Sequence, residues 1–274
     1  MTVSQADKAK RLRALHEAPG AFVIPNPWDA GSARVLEGMG FQALATSSGA
    51  KAGVLGKRDG GVTREESIAN ARLIAGAVDI PVIGDLEKGF GDSPDDAAET
   101  IRQAAAAGLV GGSIEDATGN KDAPLYDLKL AAERVAAASK AARALPFAFV
   151  LTARAEGFLR GKADLDDVIA RLKAYEEAGA DVLFAPGLPD LAAVKKVTGS
   201  LNKPFNFMIG IKGRSFTKAE LEAAGVKRIS LATSLYKAAM SGLIDAASEV
   251  KDKGTFSYVD RVIPTPDLNA FMKS

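Results

Sequence analysis

The chain has 274 residues, 47% hydrophobic and 25% charged, with 35 basic side chains against 34 acidic; that is enough apolar material for a large core and no charge surplus to draw it to nucleic acid or a membrane surface. With no cysteine and one histidine, it has no disulfides, thiolate ligands, thiol catalysis or multi-histidine metal sites, and a histidine-based triad is disfavoured. Chemistry falls to carboxylates, Arg, Lys, Tyr and Ser, and the expected partner is a small molecule.

Ser4 caps a first, charged helix with Ala9, Leu12 and Leu15 on one side, ending at Pro19-Gly20. It does not read as a signal peptide and no apolar run reaches membrane-span length, so the expected location is the cytoplasm. His16 lies on this helix and reads as a surface or packing residue. Strands are expected at 21–24, 42–46, 81–85, 109–114, 147–152, 181–184, 204–208 and 228–231, alternating with segments of helical period. Thr63 with Glu66, Ser93 before Pro94, and Asp164 mark helix starts. Ala107-Gly108, Ala178-Gly179 and Ala224-Gly225 mark helix ends, each just before a strand.

Nearly all-apolar strands alternating with helices predict a parallel sheet buried on both faces, and eight of them close a (β/α)8 TIM barrel. The competing doubly wound open sheet wants a glycine fingerprint after the first strand, and Ile24-Pro25-Asn26-Pro27-Trp28-Asp29 does not supply one. The chain therefore reads as a single domain over 1–274, with an N-terminal helix and a C-terminal helical extension over 245–274.

In such barrels reacting groups stand at the C-terminal ends of strands. The third strand runs into Asp85 and Glu87 and then into Gly89 and Gly91, and the fourth ends in Glu115-Asp116. Either pair alone reads as the start of a solvated loop, but two neighbouring strands bring carboxylates to one rim, where an oxygen-rich pocket suits Mg2+ or Mn2+. The other strand ends carry Asn26, Trp28 and Asp29; Ser47, Ser48 and Gly49; Arg154 and Glu156; Asn206; Thr233 and Ser234. Long loops at 51–61 and 117–127 are candidate lids. A cation on Asp85, Glu87 and Glu115, directly or through water, would bind a 2-oxo acid, with Arg154 and the Ser47-Ser48-Gly49 amides on its carboxylate, and would stabilise an enolate.

The ordered set Asn26-Pro27-Trp28-Asp29-Ala30, Thr46-Ser47-Ser48-Gly49, Gly56-Lys57-Arg58-Asp59, Asp85-Leu86-Glu87-Lys88-Gly89-Phe90-Gly91, Glu115-Asp116 and Ala153-Arg154 resembles the isocitrate lyase and phosphoenolpyruvate mutase superfamily, over roughly 21–236. The resemblance implies that Asp85 ligates Mg2+ with Glu87 and Glu115 acting through water, that Ser47 and Arg154 bind the substrate carboxylate, and that Asp59 on a mobile loop approaches the reacting centre. It also implies a homotetramer with exchanged terminal helices, which suits an apolar tail carrying Phe256, Tyr258, Val259, Val262, Ile263, Phe271 and Met272. Family lyases carry a Lys-Lys-Cys-Gly-His loop after the Glu-Asp strand; here that place holds 117–127, with neither thiol nor imidazole, and Glu87 stands where an Asp is usual. Another group must then protonate the enolate. Asp59 is favoured over Glu156, Tyr126 and Lys121.

The expected activity is Mg2+-dependent carbon–carbon cleavage of a small 2-oxo or 2-hydroxy di- or tricarboxylate, methylisocitrate lyase-like or oxaloacetate decarboxylase-like. Phosphonomutase or phosphonopyruvate hydrolase-like chemistry is the alternative, and a degenerate barrel that only binds 2-oxo acids is an alternative of another class. A phosphate site at 210–215 ranks below a plain turn there, and a Schiff-base aldolase on Lys212 ranks lower because it leaves the acid cluster unexplained.

Overall fold

The computed structural model describes residues 3–272. After helix Gln5–Glu17 (α1), the chain alternates Phe22–Ile24 (β1), Ala30–Gly38 (α2), Leu44–Ala45 (β2), Ser48–Val54 (α3), Arg64–Ala77 (α4), Val82–Asp85 (β3), Pro94–Ala106 (α5), Gly111–Glu115 (β4), Leu128–Arg143 (α6), Val150–Arg154 (β5) and Leu165–Glu177 (α7). It continues through Val182–Phe184 (β6), Leu191–Thr198 (α8), Phe205–Met208 (β7), Lys218–Ala223 (α9), Arg228–Ser230 (β8), Ser234–Lys253 (α10) and Thr265–Asn269 (α11). Short 3-10 turns sit at Gly157–Arg160 and Ser257–Arg261.

All strand pairs are parallel, in the order β1-β8-β7-β6-β5-β4-β3-β2. Across the remaining seam the Ala45 amide donates to the Pro25 carbonyl at 3.0 Å, so the sheet is a nearly closed TIM barrel, as expected. The interior is packed by Ile24, Ala45, Ile83, Val150 and Val182, and Ala9 and Leu12 of α1 join the same cluster, so α1 plugs one end of the barrel. A second, larger apolar layer lies between strands and surrounding helices. The expected caps are present: Thr63 with Glu66 and Ser93 with Asp96 form reciprocal capping boxes, and Asp164 accepts from Asp166 and Asp167.

Two segments differ from expectation. The fourth and fifth strands extend past their apolar runs, so Glu115 and Arg154 are themselves in the ladder, facing each other in register. The segment expected to be a loop from residue 51 begins with α3, capped by Ser47 and containing buried Ala50, Lys51 and Ala52. Its glycines hide the helix, and close approach explains them. A Cβ on Gly49 would come within 2.7 Å of Thr233 Cγ2, and one on Gly53 would collide with the Tyr236 hydroxyl.

The C-terminal extension leaves the barrel's surface. No residue of α10 is buried, and Leu243, Ile244, Phe256, Val259, Val262 and Ile263 are exposed by half or more. Phe271 returns to the barrel, where it occupies the space that a Cβ on Gly38 of α2 would need. Among the described residues no helix is long and apolar enough to cross a membrane.

Candidate active site

A cavity of about 260 Å3 opens at the C-terminal ends of the strands. Of the residues expected there, Asn26, Ser47, Ser48, Gly49, Asp59, Asp85, Arg154, Asn206 and Thr233 line it. Glu87, Glu115 and Glu156 flank it behind this lining. Trp28 and Asp29 stand outside: the Trp28 ring packs edge-on against Tyr236 at 5.5 Å, and the Asp29 carboxylate is spent on capping α2, accepting from the Ser32 amide at 2.7 Å. Both serve the fold around the site rather than its wall. An Asx cap and a substrate ligand look alike in sequence.

Asp85 ends β3 with both oxygens engaged, accepting from the Ser48 amide at 3.0 Å and the Glu87 amide at 3.3 Å, with Arg154 Nη1 at 4.0 Å. Burial opposes its charge, but Arg154, Lys51 and the two amides outweigh burial and hold the carboxyl below its ordinary range. Glu87 sits at a positive φ of 52°, which turns its side chain to Lys51, 3.3 Å away; burial nonetheless pushes its pKa up, and the neighbouring Asp85 and Asp59 add to that. Glu115 meets Arg154 at 3.5 Å and Arg160 at 3.3 Å, yet burial first and Glu156 second push its carboxyl well above the usual range.

The sequence places Glu156 among the catalytic groups; the structure gives it a positioning role. It is fully buried, pairs with Arg154 Nε, and lies 3.1 Å from Arg160. Its amide donates to Asp116 Oδ1 at 2.8 Å, and Asp116 Oδ2 accepts from Tyr175 at 2.6 Å and Arg171 at 3.2 Å. This chain of buried contacts fixes the end of β5 and so aims the Arg154 guanidinium, whose face also lies 4.9 Å from the Phe184 ring.

The three proposed metal carboxylates do not converge on one point: among the described residues no set of three Asp, Glu or His could chelate an ion directly. The reason is steric and electrostatic, since Arg154 lies between Asp85 and Glu115 while Lys51 draws Glu87 aside. A cation held by Asp85 alone, with Glu87 and Glu115 reached through water, fits this arrangement. Around the cavity Asp59, Asp85, Glu87, Glu115 and Glu156 face Lys51, Arg154, Arg160, Arg228 and Lys237, five acids to five bases; the metal candidates Asp85, Glu87 and Glu115 offer only oxygen, and the buried Glu87 Oε1, 3.3 Å from Lys51, has no hydrogen-bond partner. An all-oxygen donor set of this kind suits a hard divalent cation.

The alternative proton donors separate clearly. Asp59 lies exposed at the cavity mouth. Tyr126 is buried with its hydroxyl donating to Asp92 at 2.5 Å, and burial and that carboxylate raise its pKa far from neutrality. Lys121 lines a separate depression with Asn120, Pro124 and Arg160. Lys212 is exposed and outside the lining, although its neighbours Gly210 and Ile211 line it, which leaves a Schiff-base role without support.

The description of phosphoenolpyruvate phosphomutase as a family fits residues 12–251. This chain belongs to that family. It sits within the isocitrate lyase and phosphoenolpyruvate mutase superfamily: a crystal structure of 2,3-dimethylmalate lyase superimposes with a TM-score of 0.86 at 28% identity, covering 96% of this chain and 94% of that one. A candidate lyase/mutase from Burkholderia cenocepacia J2315 superimposes with a TM-score of 0.96 at 49% identity, covering 97% and 96%. The carboxyvinyl-carboxyphosphonate phosphorylmutase of Arabidopsis thaliana is 32% identical over 274 residues, 96% of this chain and 80% of the relative.

Sequence reasoning missed four basic residues of this phosphomutase-family site, among them Lys237 in the cavity lining. Lys51 is 1% exposed, donates to Ser67 Oγ at 2.6 Å and reaches Glu87. Arg160 on the 3-10 turn bridges Glu115 and Glu156. Arg228 lines the cavity at 3% exposure. For Arg228 a signal was present: Arg228-Ile229-Ser230 begins a strand with a charge, whereas β1, β2 and β6 are wholly apolar and the polar residues of β3, β4 and β5 come at or near their C-terminal ends.

Proposed function

We propose that this chain is a Mg2+- or Mn2+-dependent lyase that breaks a carbon–carbon bond in a small 2-oxo or 2-hydroxy di- or tricarboxylate by way of an enolate. The observation that carries this reading is the meeting of Asp85, Arg154 and the Ser47-Ser48-Gly49 turn on one cavity wall, with Asp59 at its mouth. Arg154, already oriented by Glu156, takes the substrate carboxylate beside the Ser47-Ser48-Gly49 turn. Asn206 lines the same cavity with its amide engaged by Ser230 and Arg228, and Leu159 with Phe184 keeps water from the reacting carbon. When bound, the cation would be held by Asp85 and by water on Glu87 and Glu115, and would neutralise charge developing on oxygen. In a 2-hydroxy acid the hydroxyl proton passes to the Asp59 carboxylate as the bond breaks, the hydroxyl carbon becomes a carbonyl and the electron pair of the broken bond stays on the enolate fragment; Asp59 then returns that proton to the enolate carbon, replacing the missing thiol.

Relatives that carry mutase names keep phosphorus–carbon chemistry as the second reading, because the same oxygen charge develops there. Titration calorimetry with oxalate, a planar enolate mimic, tests the site. The parent should bind oxalate only with Mg2+ present, and Asp85→Ala should abolish that binding. Equal binding by the parent and the variant would place the site elsewhere.

A further inference from the structure

Three arginines of this chain are less than a tenth exposed; one of them forms ion pairs and a second has acids only at longer range. Arg171 pairs with Asp116 and Asp167, and Arg134 lies in the field of Asp92 and Asp96. Arg228, at the start of β8, meets only neutral groups. Its Nε donates to Asn206 Oδ1 at 2.8 Å, its Nη2 to Thr152 Oγ1 at 3.0 Å, and its Nη1 faces His16 Nε2 at 3.4 Å. Burial, and then Arg228 itself, lowers the His16 pKa to about 3, so the ring is neutral; its Nδ1–H donates to the Leu12 carbonyl at 2.9 Å, which leaves Nε2 as an acceptor. No carboxylate pulls back against the burial of Arg228, which lowers its pKa to about 9 and still leaves it charged at neutral pH.

A buried charge without a counter-ion is costly, and a fold keeps one where something anionic arrives. Three of the five guanidinium N–H groups have the partners named, and the residue lines the cavity that holds Asp85 and Arg154. Its level in the barrel is also defined. Thr152 lies two residues before Arg154 on β5, so the guanidinium that Thr152 contacts lies about 7 Å below the Arg154 level along the strand. Two cationic forks thus stand at different depths in one cavity, one balanced by acids and one not.

We propose that Arg228 receives the second carboxylate of a short dicarboxylate substrate whose first carboxylate is taken by Arg154. This rests on the lyase reading above and narrows its substrate to diacids that bind with one acid group directed down the barrel axis. Asn206 and Thr152 hold the fork in place, and His16 supplies a neutral backing that leaves the charge for the ligand.

Titration calorimetry with Mg2+ at pH 7.5 tests it on the full chain, comparing oxalate, lactate (a 2-hydroxy monoacid) and malate (the corresponding diacid). The parent should bind malate about 10-fold or more tighter than lactate, as one charge-assisted contact warrants. Arg228→Met should erase that preference while still binding oxalate with Mg2+, and Arg228→Lys should retain part of it. Equal affinities for malate and lactate in the parent, or a preference that survives Arg228→Met, overturn the assignment. Loss of oxalate and malate together in both variants makes Arg228 a brace for α1 and equally overturns it. If Arg228→Met does not fold, the parent comparison and Arg228→Lys decide. A parent that fails to bind oxalate at all defeats the lyase reading and this inference with it; oxalate binding without diacid preference defeats this inference alone.

Discussion

Asp59 has an exposed position at the mouth of the cavity and sits on a segment bounded by Gly56 and Gly60, both at positive φ, which leaves its carboxylate free to approach a bound ligand. If it is the proton donor, Asp59→Asn should leave oxalate binding nearly intact while turnover falls about 100-fold or more. Unchanged turnover would move the role to another group. At this scale the sequence revealed what sits at strand ends, because a carboxylate or Arg following an apolar run must face the rim. It could not reveal depth or partner. Trp28 and Asp29 sit at a strand end and yet pack and cap, whereas Lys51 and Arg228 are long side chains whose heads lie far from where their backbone positions suggest.

Helix α1 closes the barrel floor, and its His16 makes that closure sensitive to acid. Burial, with Arg228 adding, lowers the histidine's folded pKa from 6.5 to about 3. The native state therefore refuses a proton that the unfolded chain accepts below 6.5, so this stabilisation is complete above pH 6.5 and lost as pH falls toward 3, at up to about 1.4 kcal/mol per pH unit. Between pH 6 and 4 the unfolding free energy of the parent, from urea titrations, should fall about 1 kcal/mol per pH unit more steeply than that of His16→Gln. Parallel curves would show that His16 titrates as an ordinary surface residue. The elements themselves were legible where caps and glycines punctuate them, as at Thr63, Ser93 and the Ala-Gly phrases that close α5, α7 and α9. α3 was not, because Gly49 and Gly53 read as loop residues and are present for close packing on Thr233 and Tyr236.

The whole molecule is a barrel with an unpacked tail. Leu243, Ile244, Phe256, Val259, Val262 and Ile263 are each exposed by half or more, and a second copy of the same chain is the occupant the family resemblance implies. Light scattering at micromolar concentration should give four times the 28.4 kDa chain mass, and Ile263→Glu should lower it. A monomer in the parent would contradict the assembly. The barrel itself was readable from eight apolar runs and their spacing; how the tail is covered was not, since apolar residues that pack on a partner and those that pack at home have the same pattern. The account as a whole stands on cation-dependent cleavage at Asp85. The most direct measurement is release of a 2-oxo acid from a panel of 2-oxo and 2-hydroxy di- and tricarboxylates, with and without Mg2+, by the parent and by Asp85→Ala. The parent should release a 2-oxo acid from at least one diacid only with Mg2+ present, and the variant should release none. Release that needs no Mg2+, or that persists in Asp85→Ala, would contradict cation-dependent cleavage at this site.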